Sequence, residues 1–204
     1  MRVIAGIAGG RPLRSVESRL VRPTSDKVKG AIFSMLEAEA FKRGLAKPGY
    51  LADVEAGRGG SPWRTVLDLY AGSGALGIEA LSRGAESADF VEADARAREA
   101  IADNLRRTEL THKGRIHSMR VEVAISTFAH PYDLILLDPP YDDPTFDSAF
   151  HQLCGSALVG ISTFVVLEHS RKRVVPPRCG PLELLKTRVH GGTGISIYAA
   201  GQQE

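Results

Sequence analysis

Asp138-Pro139-Pro140-Tyr141 follows an apolar run, Leu134-Ile135-Leu136-Leu137. Two consecutive prolines remove two N–H donors and fix φ, so the turn is rigid and presents acceptors, the Asp138 carboxylate and the Pro139 carbonyl. Such a pair suits an exocyclic amine on a nucleobase, whose lone pair is delocalised into the ring. Two acceptors holding its two N–H groups draw the nitrogen toward a tetrahedral geometry and aim it for in-line attack. The nitrogen becomes cationic as it attacks, and a nearby carboxylate stabilises that charge. Tyr141 offers a stacking face, worth about 1–3 kcal/mol per base in single-strand binders. A base inside a duplex would have to be flipped out to reach it.

A second group of residues could bind the methyl donor for such an amine. Gly72-Ser73-Gly74-Ala75-Leu76-Gly77 fits G-x-G-x-x-G between a strand and a helix. The first glycine allows the tight turn, the second lets a ligand approach the backbone, and the helix N-terminus aims free N–H groups at it. Glu92 lies 20 residues past Gly72, at the end of the next strand, where a carboxylate can accept both hydroxyls of a ribose. The spacing predicts a nucleoside site. It does not separate nicotinamide enzymes from enzymes that use S-adenosylmethionine (SAM). Asp68 favours SAM, because an acid there suits the ammonium of the methionine part and sits poorly near a pyrophosphate.

The elements that must position these groups alternate. TVLDLY (65–70), SADFVEAD (87–94), RIHSMRV (115–121), YDLILLDPPY (132–141) and STFVVLEH (162–169) read as strands, with helical patterns between them. LELLKTRVH and GISIYAA close the chain as a strand pair, with Gly191-Gly192-Thr193-Gly194 as the hairpin turn. The expected fold is α/β, a doubly wound, mostly parallel, seven-stranded Rossmann-like sheet with an antiparallel edge. Before it, residues 2–8 read as a strand with a hairpin partner at 11–16. Thr24 or Ser25 can cap a helix whose apolar stripe is Val28, Ala31, Ile32, Met35 and Leu36. The expected organisation is an extension at 1–43, a long loop at 44–64 and a core at 65–204.

Composition allows this. Of 204 residues, 43% are hydrophobic and 25% charged, which supports a packed core and excludes wholesale disorder. No apolar run approaches the roughly 20 residues of a membrane span, and no signal peptide is evident, so the expected compartment is the cytoplasm. Cys154 and Cys179 have no metal spacing and read as free thiols; no metal site is expected. The net charge of +2 is uneven. Residues 1–30 hold seven Lys/Arg against two acids, 31–170 thirteen against twenty, and 171–204 six against two. Basic ends around an acidic middle suit a catalytic core with edges that grip a polyanion.

LDLYAGSGALGIEALSRGA, FVEAD, LILLDPPY and the leading MRVIAG…RPTSDKVKGAIFSML together resemble the RsmD family, bacterial methyltransferases acting on the N2 amine of a guanine in 16S ribosomal RNA. The Asp-Pro-Pro-Tyr turn alone is shared by many DNA, RNA and protein amine methyltransferases; the N-terminal block narrows the resemblance. It implies a class I, SAM-dependent enzyme. Asp68, Gly72, Ser73, Gly74 and Leu76 match the family's SAM loop, Glu92 its ribose acid, and Asp138 to Tyr141 its catalytic turn. Arg22, Pro23, Thr24, Asp26 and Lys27 match a block beside the RNA, with Arg22 and Lys27 suited to phosphates and Thr24 to a backbone or phosphate oxygen. Arg11, Arg14 and Arg171-Lys172-Arg173 are further candidates for the RNA backbone. The family's small polar residue after the third strand is missing here. Adenine recognition then falls to the Val121 backbone amide or to Glu122. The 44–64 loop is also longer than the family pattern. His169 reads as a bystander, because amine methylation requires no histidine.

The expected partner is 16S rRNA or the small ribosomal subunit, read partly by shape, with a monomeric enzyme. The alternatives are a DNA adenine or cytosine amine methyltransferase, a nicotinamide dehydrogenase, and a non-catalytic RNA-binding factor on a SAM fold. The length leaves little room for a DNA target-recognition region, and nothing resembles a hydride-transfer site.

Overall fold

A computed structural model of the chain describes residues 1–16, 25–45, 53, 56 and 60–201. Parallel strands alternate with helices because each apolar run is short and each is followed by a periodic helical segment. In order these are β1 (Thr65–Leu69), α2 (Ala75–Ser82), β2 (Ser87–Val91), α3 (Ala95–Arg107), β3 (Gly114–His117), α4 (Val121–Thr127), β4 (Tyr132–Leu137), α5 (Phe146–Cys154) and β5 (Val159–Ser170). Helix α1 (Asp26–Lys42) precedes them; β6 (Arg178–Cys179), β7 (Leu182–His190) and β8 (Thr193–Ala200) follow. The strands form one sheet in the order β3-β2-β1-β4-β5-β8-β7-β6. The first five are parallel and the last three antiparallel.

Alternation along the strands divides the interior in two. Val66, Leu134, Leu136 and Val166 face one cluster, which also takes in Val3, Ala8, Leu13 and the Ile32, Phe33 and Leu36 face of α1. Leu67, Leu69, Ile135, Leu137 and Val165 face the other, with Phe146, Phe150 and Leu153 of α5. Fully burying each such aliphatic is worth about 1.5–3 kcal/mol. The chain winds from β1 outward to β3, then returns to lay β4 on the other side of β1. The crevice at the carboxyl ends of β1 and β4 is therefore the topological switch point, where open α/β sheets bind ligands.

The N-terminal segment is tied to the helix after the glycine turn. Buried Glu79 of α2 accepts the Ile4 and Ala5 N–H groups at 2.7 and 3.1 Å and the Arg83 guanidinium at 2.8 Å. Arg83 reaches on to Glu37 of α1, and the fully buried Lys29 ammonium donates to the Arg2 carbonyl. Ser25 caps α1 by accepting the Val28 N–H.

Four expectations need correction. The sheet has eight strands rather than seven, because Arg178–Cys179 adds a short edge strand, β6, after β5. The strand expected at 2–8 is mostly turn, with a single bridge between Arg2 and Pro12 and a close Val3–Arg11 pairing. The third strand ends at His117, and Val121 opens α4. Cys154 and Cys179 form a disulfide rather than free thiols, because the end of α5 packs on β6 with the two Cα atoms 5.7 Å apart.

Closing that loop should contribute about 3 kcal/mol through the unfolded chain. At about 2–4 °C per kcal/mol for this size, reduction should lower the melting temperature by roughly 6–12 °C. A Cys154→Ala/Cys179→Ala variant should melt at the reduced value with or without reductant. Melting of the native chain that is indifferent to reductant would contradict the linkage.

Candidate functional site

The connection after β1 carries most of the backbone strain at the switch point. Tyr70 has φ 58° and Gly72 and Gly74 have φ 56° and 77°. The left-handed region costs glycine nothing, whereas a tyrosine there is held against its preference. The turn is closed by Gly74 N–H on the Ala71 carbonyl at 2.7 Å. Gly77 is required for packing, since a Cβ there would collide with Phe90 of β2.

Three carboxylates converge on this turn. Asp68, at the carboxyl end of β1, is buried and accepts the Gly77 N–H at 2.9 Å. Burial pushes its carboxyl well above the usual aspartate range; the Gly77 bond opposes this, and the charges of Asp138 and Glu92 push the same way as burial. Glu92, just past β2, accepts the Gly72 N–H on one oxygen and the Asp94 N–H on the other, each at 2.8 Å. An ionised carboxylate oxygen has two acceptor sites, so each retains one for a hydroxyl.

Beside Glu92 lies a cavity of about 290 Å³ lined by Tyr70, Val91, Glu92, Ala93, Met119 and residues 120–122, with Asp143 at its edge. Val91, Met119 and Val121 supply its apolar walls. Val121 follows the Arg120 N-cap, so its N–H, as the first of α4, has no carbonyl of the helix to bond. Glu122 is held by Arg120 at 3.2–3.3 Å, and this hydrogen bond keeps its carboxyl below the usual range. Burial, with Asp143 and Glu122 nearby, pushes the Tyr70 phenol up.

These residues fit SAM. The apolar cavity suits an adenine, Glu92 at its rim suits the ribose, and buried Asp68 between two further carboxylates suits a cation. Uncompensated buried charge is costly, and a bound cation offsets it.

The Asp-Pro-Pro-Tyr turn leaves β4 at the same crevice. Asp138 is partly exposed, Pro139 is buried, and Tyr141 is 39% exposed with its hydroxyl 2.9 Å from Thr193 Oγ1 at the start of β8. Sequence reasoning assigns Thr193 only to a hairpin turn; the structure makes it the hydrogen-bond partner of the Tyr141 hydroxyl. Tyr70, Met119 and Asp143 are likewise lining residues that the sequence reading misses. For Tyr70 a signal exists, an aromatic directly before the glycine turn.

Asn104 of α3 is also missed by the sequence reading. It is fully buried, exchanges two hydrogen bonds with the Arg14 backbone at 2.7 and 2.9 Å, and donates to the Ser73 carbonyl at 2.9 Å. It therefore joins the glycine turn to the N-terminal segment. Leu76 sits in the apolar core and backs the turn. Arg11 caps the end of α3, donating to the Arg107 carbonyl and pairing with Glu109, both at 3.0 Å. Lys27 is exposed on the first turn of α1, Arg171 is exposed beside Gly192, and Arg22, Pro23 and Thr24 lie outside the described residues. His169 is buried, its Nδ1–H donating to the Ser170 carbonyl and its Nε2 accepting from Ser196, so neither nitrogen serves as a base.

The family model described as Conserved hypothetical protein 95 matches residues 1–199. "Putative rRNA methyltransferase YlbH" of Bacillus subtilis is 35% identical over 201 residues, covering 97% of this chain and 98% of its own length. "Ribosomal RNA small subunit methyltransferase D" of Haemophilus influenzae is 28% identical over 206 residues, covering 97% and 93%. Among solved structures, a hypothetical protein of Thermus thermophilus aligns with a TM-score of 0.76 at 27% identity, covering 98% of this chain and 99% of its own.

The raised Asp68 carboxyl gives a pH dependence with a definite sign. In the ligand-free protein, stability falls as pH rises from the ordinary aspartate value through the folded value, because the unfolded chain gives up this proton first. A bound cation reverses this by expelling the proton from the folded state. SAM affinity should therefore rise with pH, with proton release measurable by calorimetry in buffers of different ionisation heat. Asp68→Asn should bind more weakly and release no proton. An unchanged proton release in that variant would remove Asp68 from the role.

Proposed function

The chain belongs to the family described as Conserved hypothetical protein 95, and on that premise we propose that it is a SAM-dependent methyltransferase acting on the exocyclic N2 amine of a guanine in 16S rRNA. The observation that carries this reading is the meeting, at the β1/β4 switch point, of a rigid acceptor turn with a carboxylate-rich nucleoside site. The relatives from Bacillus subtilis and Haemophilus influenzae, both described as rRNA methyltransferases, support rRNA as the substrate class. The partner is the small subunit or its 16S rRNA, met in the cytoplasm by a monomer.

When bound, SAM supplies an electrophilic methyl carbon on a sulfonium. Asp68 and Glu92 hold its cationic end and its ribose; Val121 N–H and the Met119 and Val91 side chains hold its base. The Asp138 carboxylate and the Pro139 carbonyl take the two N–H groups of the target amine and fix its direction. Asp138 then stabilises the positive charge that the nitrogen gains. Tyr141, anchored by Thr193, presents its ring to the extruded base. We assign residues 1–43 to an RNA-facing extension and 65–204 to the methyltransferase core; most of the 44–64 segment expected as a loop lies outside the described residues, and Asp53 within it is helical. Lys27, exposed at the start of α1, is the described residue of the Arg22–Lys27 block suited to an RNA phosphate. Arg11 acts there only by leaving Glu109.

Asp138→Ala should lower methyl transfer at least a hundredfold, on the order of the loss from removing one preorganised charge-stabilising group, while SAM still binds by calorimetry. Full activity in that variant would refute the role. Thr193→Val should lower kcat on rRNA by several-fold with SAM affinity and melting temperature retained, and Thr193→Ser should restore it. Equal kcat in the valine variant would show that the Tyr141 anchor is dispensable.

A further inference from the structure

Most described Lys and Arg side chains are held by a carboxylate or a carbonyl, as Arg83 is by Glu79 and Glu37 and Arg173 by Asp147. Arg171, Lys172, Lys186 and Arg188 make no ion pair or side-chain hydrogen bond with another described residue, although Arg171, Lys172 and Arg188 are exposed. All four lie at one end of the antiparallel part of the sheet. Register fixes their relation to the catalytic turn. Thr193, which anchors Tyr141, pairs with Ser170 of β5 on one side and His190 of β7 on the other. Arg171 follows Ser170 directly and donates its backbone N–H to the Gly192 carbonyl at 2.9 Å.

Along β7 the pairs His190–Thr193, Arg188–Ile195 and Lys186–Ile197 are regular, with the register shift confined to residues before Lys186. Alternate residues of a strand share a face, so His190, Arg188 and Lys186 form one row at intervals of about 6.5–7 Å. β6 pairs with β7 only at Glu183 and Leu182, so the row runs along an open edge. A row of Lys186 and Arg188 that leads up to His190, the strand partner of Tyr141's anchor Thr193, has the geometry to follow an extended polyanion leading away from a base stacked there.

We propose that Lys186, Arg188 and His190 of β7, with Arg171 and Lys172, are a phosphate track for the single-stranded RNA flanking the target guanine. The proposal rests on the RNA methyltransferase reading above. It assigns positioning to these side chains and no chemistry. Charged residues on an edge strand also discourage sheet-to-sheet pairing, and the experiment separates the two roles.

The test uses the full chain and a 16S rRNA fragment that the native enzyme methylates, with RNA affinity measured across salt concentrations. Each phosphate contact on a single strand contributes about 0.7 to the slope of log K against log salt, so Lys186→Ala/Arg188→Ala should shallow it by about 1.4. RNA binding should weaken and KM for RNA rise, with kcat at saturating RNA, SAM affinity and melting temperature unchanged. Arg106→Ala/Arg115→Ala, an equal charge loss on α3 and β3, should leave the slope intact. A native slope in the β7 variant, with native transfer, would overturn the track and leave the methyltransferase reading standing; aggregation of that variant with native RNA affinity would overturn it too, and assign the row to edge protection. A native enzyme that binds SAM but methylates no rRNA would overturn both.

Discussion

A buried carboxylate without a buried cation is the constraint around which this site is built. Asp68 lies one residue before the end of β1, the middle one of the five parallel strands, where water cannot solvate it, and its compensation from the protein is the Gly77 N–H. Asp138 and Glu92 lie close enough to raise its cost further. A fold optimised for stability alone would place an apolar residue there. A cation bound in the crevice would offset that cost. The left-handed Tyr70 and the collision that forbids a side chain at Gly77 belong to the same device, because both hold the turn against β2 and the start of α2.

The N-terminal segment is joined to that device at two places. Glu79 and Arg83 bind it to the helix after the glycine turn, and Asn104 clamps the Arg14 backbone while holding the Ser73 carbonyl. A displacement of the turn on ligand binding therefore has a direct mechanical route to the segment that precedes α1. On the other side of the crevice, Thr193 joins the Asp-Pro-Pro-Tyr turn to the antiparallel strands. The acceptor turn is thus braced by the sheet's late strands and the donor turn by its N-terminal segment.

What is legible in the sequence is what is local. The glycine turn, Glu92 and the Asp-Pro-Pro-Tyr turn are contiguous or at fixed spacing, and strand–helix alternation alone places them at the carboxyl edge of a parallel sheet. The contacts that support them are not legible, because each joins residues far apart in the chain. Tyr141 meets Thr193 across 52 positions and Asn104 meets Arg14 across 90. The disulfide escapes the sequence reading for the same reason, since a spacing of 25 residues says nothing until α5 and β6 are packed. The third strand reads too long because Val121 has the character of a strand residue, yet the first turn of α4 buries its side chain equally well.

The most direct test is the chemical identity of the product. Small ribosomal subunits, naked 16S rRNA and duplex DNA would each be incubated with the protein and isotopically labelled SAM, then digested to nucleosides and resolved by mass spectrometry. Labelled N2-methylguanosine from subunits or rRNA, and none from DNA, is the expected result. Label in N6-methyladenine or N4-methylcytosine of DNA would contradict the substrate, and no labelled nucleoside from a protein that binds SAM would contradict catalysis itself.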